Sequence, residues 1–255
     1  MLIKLHGDDV YCDSPGRQFD NALPTAVFIH GAQQDHSVWP LQNSCFMQDA
    51  LALLSVDLPG HGRSKGTALT SIEDQARWLL ALLDVLDVQQ AILIGHSMGA
   101  LIALEAAFAA PQRIMKLALL GAAFPMRVSD ILLETAKQDE EKAGAMIYSW
   151  SHSSPALRTI NDADRKSKSP GVLHADLYAC HRYANGLVAA ASLHCPVLFI
   201  LASQDKMTPL KATNALTDAV PHGKILFLEN CGHAMMEEQP KAVLQALCSF
   251  VTGQH

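Results

Sequence analysis

Ala91-Ile92-Leu93-Ile94-Gly95-His96-Ser97-Met98-Gly99-Ala100-Leu101 is the stretch on which the fold turns. Residues 91–94 form an unbroken apolar run, which predicts a buried strand. From Met98 to Ala110 the chain is apolar almost all round, which predicts a buried helix stopped by Pro111. Ser97 stands on the turn between them, with Gly95 and Gly99 two residues away on either side. So tight a turn forces strained backbone angles on the serine and leaves no room for larger flanking side chains. It would hold the hydroxyl above the sheet edge, at the positive end of the helix.

Working outward, residues 2–13 read as a short hairpin turned near Gly7-Asp8-Asp9. Thr25 to His30 reads as a central strand ending at Gly31, Ser37 to Leu51 as a helix, and Ala52 to Leu58 as a strand ending in Pro59-Gly60-His61-Gly62. Thr70-Ser71-Ile72-Glu73 has the form of a capping box. Behind it Ile72, Ala76, Leu79, Leu83 and Leu86 recur on one helical face. Further strands are predicted over 116–123, 196–203 and 224–229. A helix should open at Thr208-Pro209, and a last one should run over 240–251. Residues 124–190 break the alternation. They are more polar, carry two charged runs and contain no clear strand, so they read as a helical insertion over the sheet, with 1–123 and 191–255 forming the core domain. The alternation elsewhere implies an α/β fold with a mainly parallel sheet and helices on both faces. Ser97, His30 and Asp57 all fall at strand ends, the rim where such sheets bind ligands.

The chain has 255 residues, is 49% apolar and carries a net charge of −6, enough for one sizeable core. Its 19 Lys and Arg residues are scattered and form no basic stripe, which argues against nucleic acid as a partner. No apolar run reaches the roughly 18 residues of a membrane span, and no signal peptide is visible. Six cysteines, none in Cys-x-x-Cys spacing, read as reduced thiols and fit a cytoplasmic location. His174 and His181 are seven apart with no carboxylate or Cys completing a ligand set, so no metal is expected.

A serine hydroxyl is a poor nucleophile near neutral pH and needs a base, which in turn needs an orienting acid. Two later strand ends supply candidates: Asp205 in Ala202-Ser203-Gln204-Asp205-Lys206, and His233 in Asn230-Cys231-Gly232-His233-Ala234. Asp218 and Glu229 are other acids nearby. Asp57 and Arg63 read as braces of their own loop, and His61 either as facing the pocket or as solvated.

The chain resembles the α/β-hydrolases. The resemblance rests on His30-Gly31, on Asp57-Leu58-Pro59-Gly60-His61-Gly62-Arg63-Ser64, on Gly95-His96-Ser97-Met98-Gly99, on Asp205 and on Gly232-His233, in that family's order, and covers nearly the whole chain apart from the insertion. It implies a mainly parallel eight-stranded sheet with a helical cap over 124–190. It also implies Ser97 as nucleophile, His233 as base, Asp205 as its partner, and the backbone N–H groups of Ala32 and Met98 as the oxyanion hole. His30, Gly31, His96, Tyr148, Trp150 and Tyr178 become candidates for the substrate pocket. A serine, where dehalogenase and epoxide-hydrolase relatives carry aspartate, implies acyl transfer to water from a small-molecule ester or related acyl substrate, without a cofactor. The alternatives are hydrolysis of carbon–carbon bonds in ring-fission products, or a receptor that binds without turnover. The sequence leaves monomer and dimer both open.

Overall fold

Side chains of the parallel strands alternate between two cores. Val27, Ile29, Leu93, Leu117 and Leu119 face one, while Ala26, Phe28, Ile92, Ile94 and Leu120 face the other. Both faces are therefore buried, which is why these strands read as continuous apolar runs. The computed structural model describes residues 1–15, 18–39, 51–154 and 169–253. Its strands are β1 (Leu2–Leu5), β2 (Asp8–Asp13), β3 (Thr25–Ile29), β4 (Ala52–Val56), β5 (Ala91–His96), β6 (Ile114–Leu120), β7 (Val197–Ala202) and β8 (Lys224–Leu228). They form an eight-stranded sheet in the order β1-β2-β4-β3-β5-β6-β7-β8. The pairs β1–β2 and β2–β4 are antiparallel, and the remaining pairs are parallel. β3 lies between β4 and β5, so the strand order reverses beside it, at the place where open α/β sheets leave a crevice.

On one face lie α1 (Ile72–Val85), α2 (Met98–Ala109), α6 (Gly186–Ala191) and α7 (Leu210–Ala219); on the other lie the short α8 (Met235–Glu238), through Met235, and α9 (Pro240–Thr252), through Val243, Leu247 and Val251. α2 is buried almost all round, as its composition predicts. α1 begins one residue later than the sequence pattern suggests. Its cap is Ser71, whose hydroxyl accepts from the Asp74 N–H, so Asp74 rather than Glu73 occupies the third helical position. Between β6 and β7 the described residues hold α3 (Asp130–Gln138), α4 (Glu140–Ser151), α5 (Val172–Arg182) and α6. α3, α4 and α5 share a small core of Leu132, Ala136, Ala143, Leu173 and Leu177. A 3₁₀ turn covers His36–Val38; most of the helix expected over 37–51 lies outside the described residues.

Among the described residues no helix is long and apolar enough to cross a membrane. Cys12, Cys180, Cys195 and Cys231 are free thiols, whereas Cys248 is disulfide-bonded. The expectation of reduced cysteines throughout is therefore corrected at Cys248.

Candidate active site

Ser97 occupies the turn between β5 and α2 with φ 54° and ψ −117°. This is left-handed territory that a serine enters only under constraint. Its N–H donates to Leu120 O of the neighbouring strand at 2.8 Å, and its carbonyl accepts from Ala100 N at 3.0 Å. The flanking glycines are required by contact. A Cβ on Gly95 would sit 2.2 Å from Gly99 O, and one on Gly99 would sit 2.2 Å from Ile29 O. Helix and strands thus approach backbone to backbone. Met98 is the first residue of α2, so its N–H has no intrahelical acceptor.

His233 follows β8, and Asp205 follows β7. The His233 Nδ1–H donates to Asp205 Oδ2 at 2.7 Å. The same carboxylate accepts from the Thr208 hydroxyl at 2.6 Å, from Thr208 N at 2.7 Å and from Met207 N at 2.8 Å. Burial pushes the Asp205 carboxyl up, but the His233 imidazole and these hydrogen bonds outweigh it and hold the pKa at about 2. With Nδ1 fixed as donor, a neutral imidazole carries its lone pair on Nε2. That nitrogen is buried and has no hydrogen-bond partner. Behind it the His96 ring lies 4.7 Å from the His233 ring, and His96 Nε2–H donates to His233 O at 3.0 Å. Burial drives the His96 pKa down to about 3, so it braces as a neutral ring.

Ser97 and His233 line one cavity of about 350 Å³. Gly31, Ala32, His96, Tyr148 and Trp150 line it too, and Leu132, Ile147 and Leu177 of the inter-strand helices contribute apolar wall. Arg127, Lys206 and Glu237 bring charge to it. Two pocket candidates are corrected. His30 is wholly buried behind the rim; its Nδ1–H donates to Gly31 O at 2.8 Å and its Nε2 accepts from Leu58 N at 3.2 Å. Burial lowers its pKa to about 4, so it is a neutral staple between two loops. Tyr178 stacks between His174 and Arg182 and is not part of the cavity wall. Tyr178 lies one residue past Leu177, and that step turns it to a different face of α5.

Asp57 is fully buried and braces its loop, accepting from His36 N, His36 Nδ1–H and Arg63 N at 2.7–2.8 Å. Asp35, His36 and Asp57 gather within 4.8 Å, but these bonds already occupy the Asp57 oxygens.

The alpha/beta hydrolase family model matches residues 26–246. The chain belongs to that family. Among curated relatives, the uncharacterized hydrolase YugF of Bacillus subtilis strain 168 is 26% identical over 271 residues, covering 96% of this chain and 95% of that one. Among solved structures, a thermophilic esterase is 25% identical with a TM-score of 0.79, covering 99% and 97% of the two chains. The enol-lactonase from Burkholderia xenovorans LB400 is 20% identical with a TM-score of 0.84, covering 99% and 100%.

In this alpha/beta hydrolase the inter-strand helices also grip the loop that carries His233. The Ala234 N–H donates to Ser151 O at 2.9 Å. The Glu238 carboxylate accepts from Ser153 N at 2.9 Å, from the Ser153 hydroxyl and from Gly232 N at 3.2 Å. His152 donates from both ring nitrogens, to Tyr148 O at 2.9 Å and to Glu237 Oε2 at 3.2 Å, and the Glu237 bond raises its pKa. Sequence reasoning missed Thr208, Glu238 and Asp176, because nothing in local spacing marks a partner reached across the fold.

Proposed function

We propose that this alpha/beta hydrolase cleaves carboxylic esters of small molecules through an acyl-enzyme, using Ser97, His233 and Asp205. One observation carries the reading: the Asp205-bound imidazole of His233 leaves a buried, unpartnered Nε2 in the cavity that also holds Ser97 on its strained turn. Ser97 Oγ attacks the acyl carbon while His233 Nε2 takes its proton. Negative charge collects on the former carbonyl oxygen, where the N–H groups of Ala32 and Met98 receive it. The tetrahedral intermediate collapses, the C–O bond to the alcohol breaks, and His233 returns the proton to the leaving oxygen. Water then repeats the sequence on the acyl-enzyme, with His233 again taking and giving one proton, and frees the acid. Asp205 stays ionised and holds the imidazole in the tautomer that these steps need.

Residues 124–190 act as a helical cap whose apolar wall selects the acyl or alcohol group. The similarity to a thermophilic esterase agrees with ester chemistry. No step needs a cofactor.

The test is turnover of p-nitrophenyl acetate together with labelling by a fluorophosphonate. Ser97→Ala should lose both, with kcat falling about 10⁴-fold or more. Turnover at the wild-type rate in that variant would overturn the reading. Labelling of the wild type without turnover on any ester would point to a receptor instead.

A further inference from the structure

Asp176 lies on α5, wholly buried, 143 residues along the chain from the loop it touches. Its Oδ2 accepts the Gln33 N–H at 2.8 Å and the His61 Nε2–H at 2.8 Å. His61 also donates from Nδ1 to Pro59 O at 3.0 Å, so both ring nitrogens carry protons and the pair is ionic. Burial pushes the His61 pKa down, but Asp176 outweighs it and the net shift is upward. Asp176 Oδ1 is buried with no hydrogen-bond partner. A buried carboxylate with one idle oxygen is costly and calls for a reason beyond packing.

The backbone supplies that reason. Gln33 holds φ 58°, a left-handed conformation uncommon for glutamine. Its neighbours fix the rest of the turn: Gly31 N donates to Gln34 Oε1 at 3.0 Å and Gln34 N to Gly31 O at 3.2 Å. Ala32 sits inside this turn, and the direction of its N–H depends on the peptide planes at 31–33. Among the described residues, Asp176 supplies the hydrogen bond that ties the backbone of this strained residue to the helices between β6 and β7. We propose that Asp176 is a positioning residue for the oxyanion hole: by holding Gln33 N–H it aims the Ala32 N–H into the cavity and couples the seating of α5 to catalysis. The inference rests on Ala32 being an oxyanion donor under the function proposed above.

The experiment compares wild type with Asp176→Ala, Asp176→Leu and Asp176→Asn. Leucine fills the space without an acceptor and serves where alanine costs too much stability. Asparagine keeps an oxygen for Gln33 N–H. Three readouts are taken: kcat and KM on p-nitrophenyl acetate, inhibition by a boronic acid whose tetrahedral adduct occupies the hole, and the rate of fluorophosphonate labelling. A misaimed donor should cost less than an absent one, so about tenfold in kcat is expected for alanine or leucine. KM should stay within about twofold. Boronate affinity and labelling rate should fall in step with kcat, and asparagine should restore all three to within about threefold of wild type. Alanine and leucine variants that keep kcat within about twofold, or an asparagine variant that loses as much as alanine, would overturn the proposal. Labelling needs the nucleophile and the hole but no preferred ester. It therefore separates failure of this inference, in which wild type and variants label equally fast, from failure of the function, in which labelling survives Ser97→Ala.

Discussion

The Thr208 hydroxyl donates at 2.6 Å to Asp205 Oδ2, the same oxygen that accepts from His233. Thr208 also supplies its N–H to the other oxygen at 2.7 Å, and α7 begins two residues later. The acid of the proposed triad is thus held by the residues that lead into the next helix. Thr208→Val keeps the backbone donor and removes the hydroxyl. It should destabilise the protein by about 1 kcal/mol, the usual net worth of one buried hydrogen bond. The Asp205 pKa should rise at the same time. Urea unfolding measures the first effect, and an NMR titration of the Asp205 carboxyl measures the second.

Asp205→Asn goes further. An amide presents its own N–H or a weaker acceptor to His233, and the imidazole loses the partner that fixes its tautomer. A fall in kcat of about 10³- to 10⁴-fold is expected, with KM little changed. Steady-state assays with p-nitrophenyl acetate check it; a fall smaller than tenfold would remove Asp205 from the triad.

The depressed Asp205 pKa also sets a pH dependence of stability. Its folded value of about 2 lies below its ordinary value of 3.8. The carboxylate therefore contributes stability that is fully present above about pH 4. That contribution is lost as the pH falls toward 2, where folded and unfolded forms both take up the proton. The difference is worth about 2 kcal/mol. Urea midpoints taken at pH 5 and pH 2.5 should converge between wild type and Asp205→Asn at the lower pH and diverge at the higher.

What the sequence disclosed follows from how far each contact reaches. Strands buried on both faces leave continuous apolar runs, and a backbone-to-backbone crossing leaves Gly95 and Gly99, so sheet and turn were legible. His30 misled because a histidine at a strand end reads the same whether it faces the rim or staples two loops behind it. Tyr178 misled because α5 has a wet face and a cavity face, and only packing shows which is which. Asp176 and Glu238 left no trace because they reach Gln33 and Ser153, 143 and 85 residues away, through backbone N–H groups, which every residue owns.

Glu238 makes a prediction of its own. Its carboxylate accepts from Ser153 N, the Ser153 hydroxyl and Gly232 N, tying the end of α4 to the residue before His233. Glu238→Ala strands these donors at a half-buried junction, where each lost partner costs roughly 1 kcal/mol. A stability loss of about 2 kcal/mol is expected by urea unfolding. A several-fold drop in kcat should accompany it as the His233 loop loosens. Glu238→Gln keeps an acceptor oxygen and should recover most of both.

Two glycine substitutions should move stability in opposite directions. A Cβ on Gly99 would lie 2.2 Å from Ile29 O and 2.5 Å from His30 O, backbone atoms at the end of the central strand and of the residue after it. Neither can retreat without shifting β3 or lifting α2, so Gly99→Ala should cost about 3 kcal/mol. It should also displace Ser97, which opens the same helix, and abolish turnover. Gly144 sits inside α4, where a Cβ would meet only Gln33 Oε1 at 3.4 Å, the far end of a side chain. Gly144→Ala should therefore stabilise α4 by about 0.5–1 kcal/mol through helix propensity. Because Gly144 lines the cavity, the added methyl should also raise KM for bulky esters more than for acetate. Paired urea curves and a short series of p-nitrophenyl esters decide both. Equal destabilisation by the two alanines would mean that the close approach of α2 to β3 is not what the glycine at 99 serves.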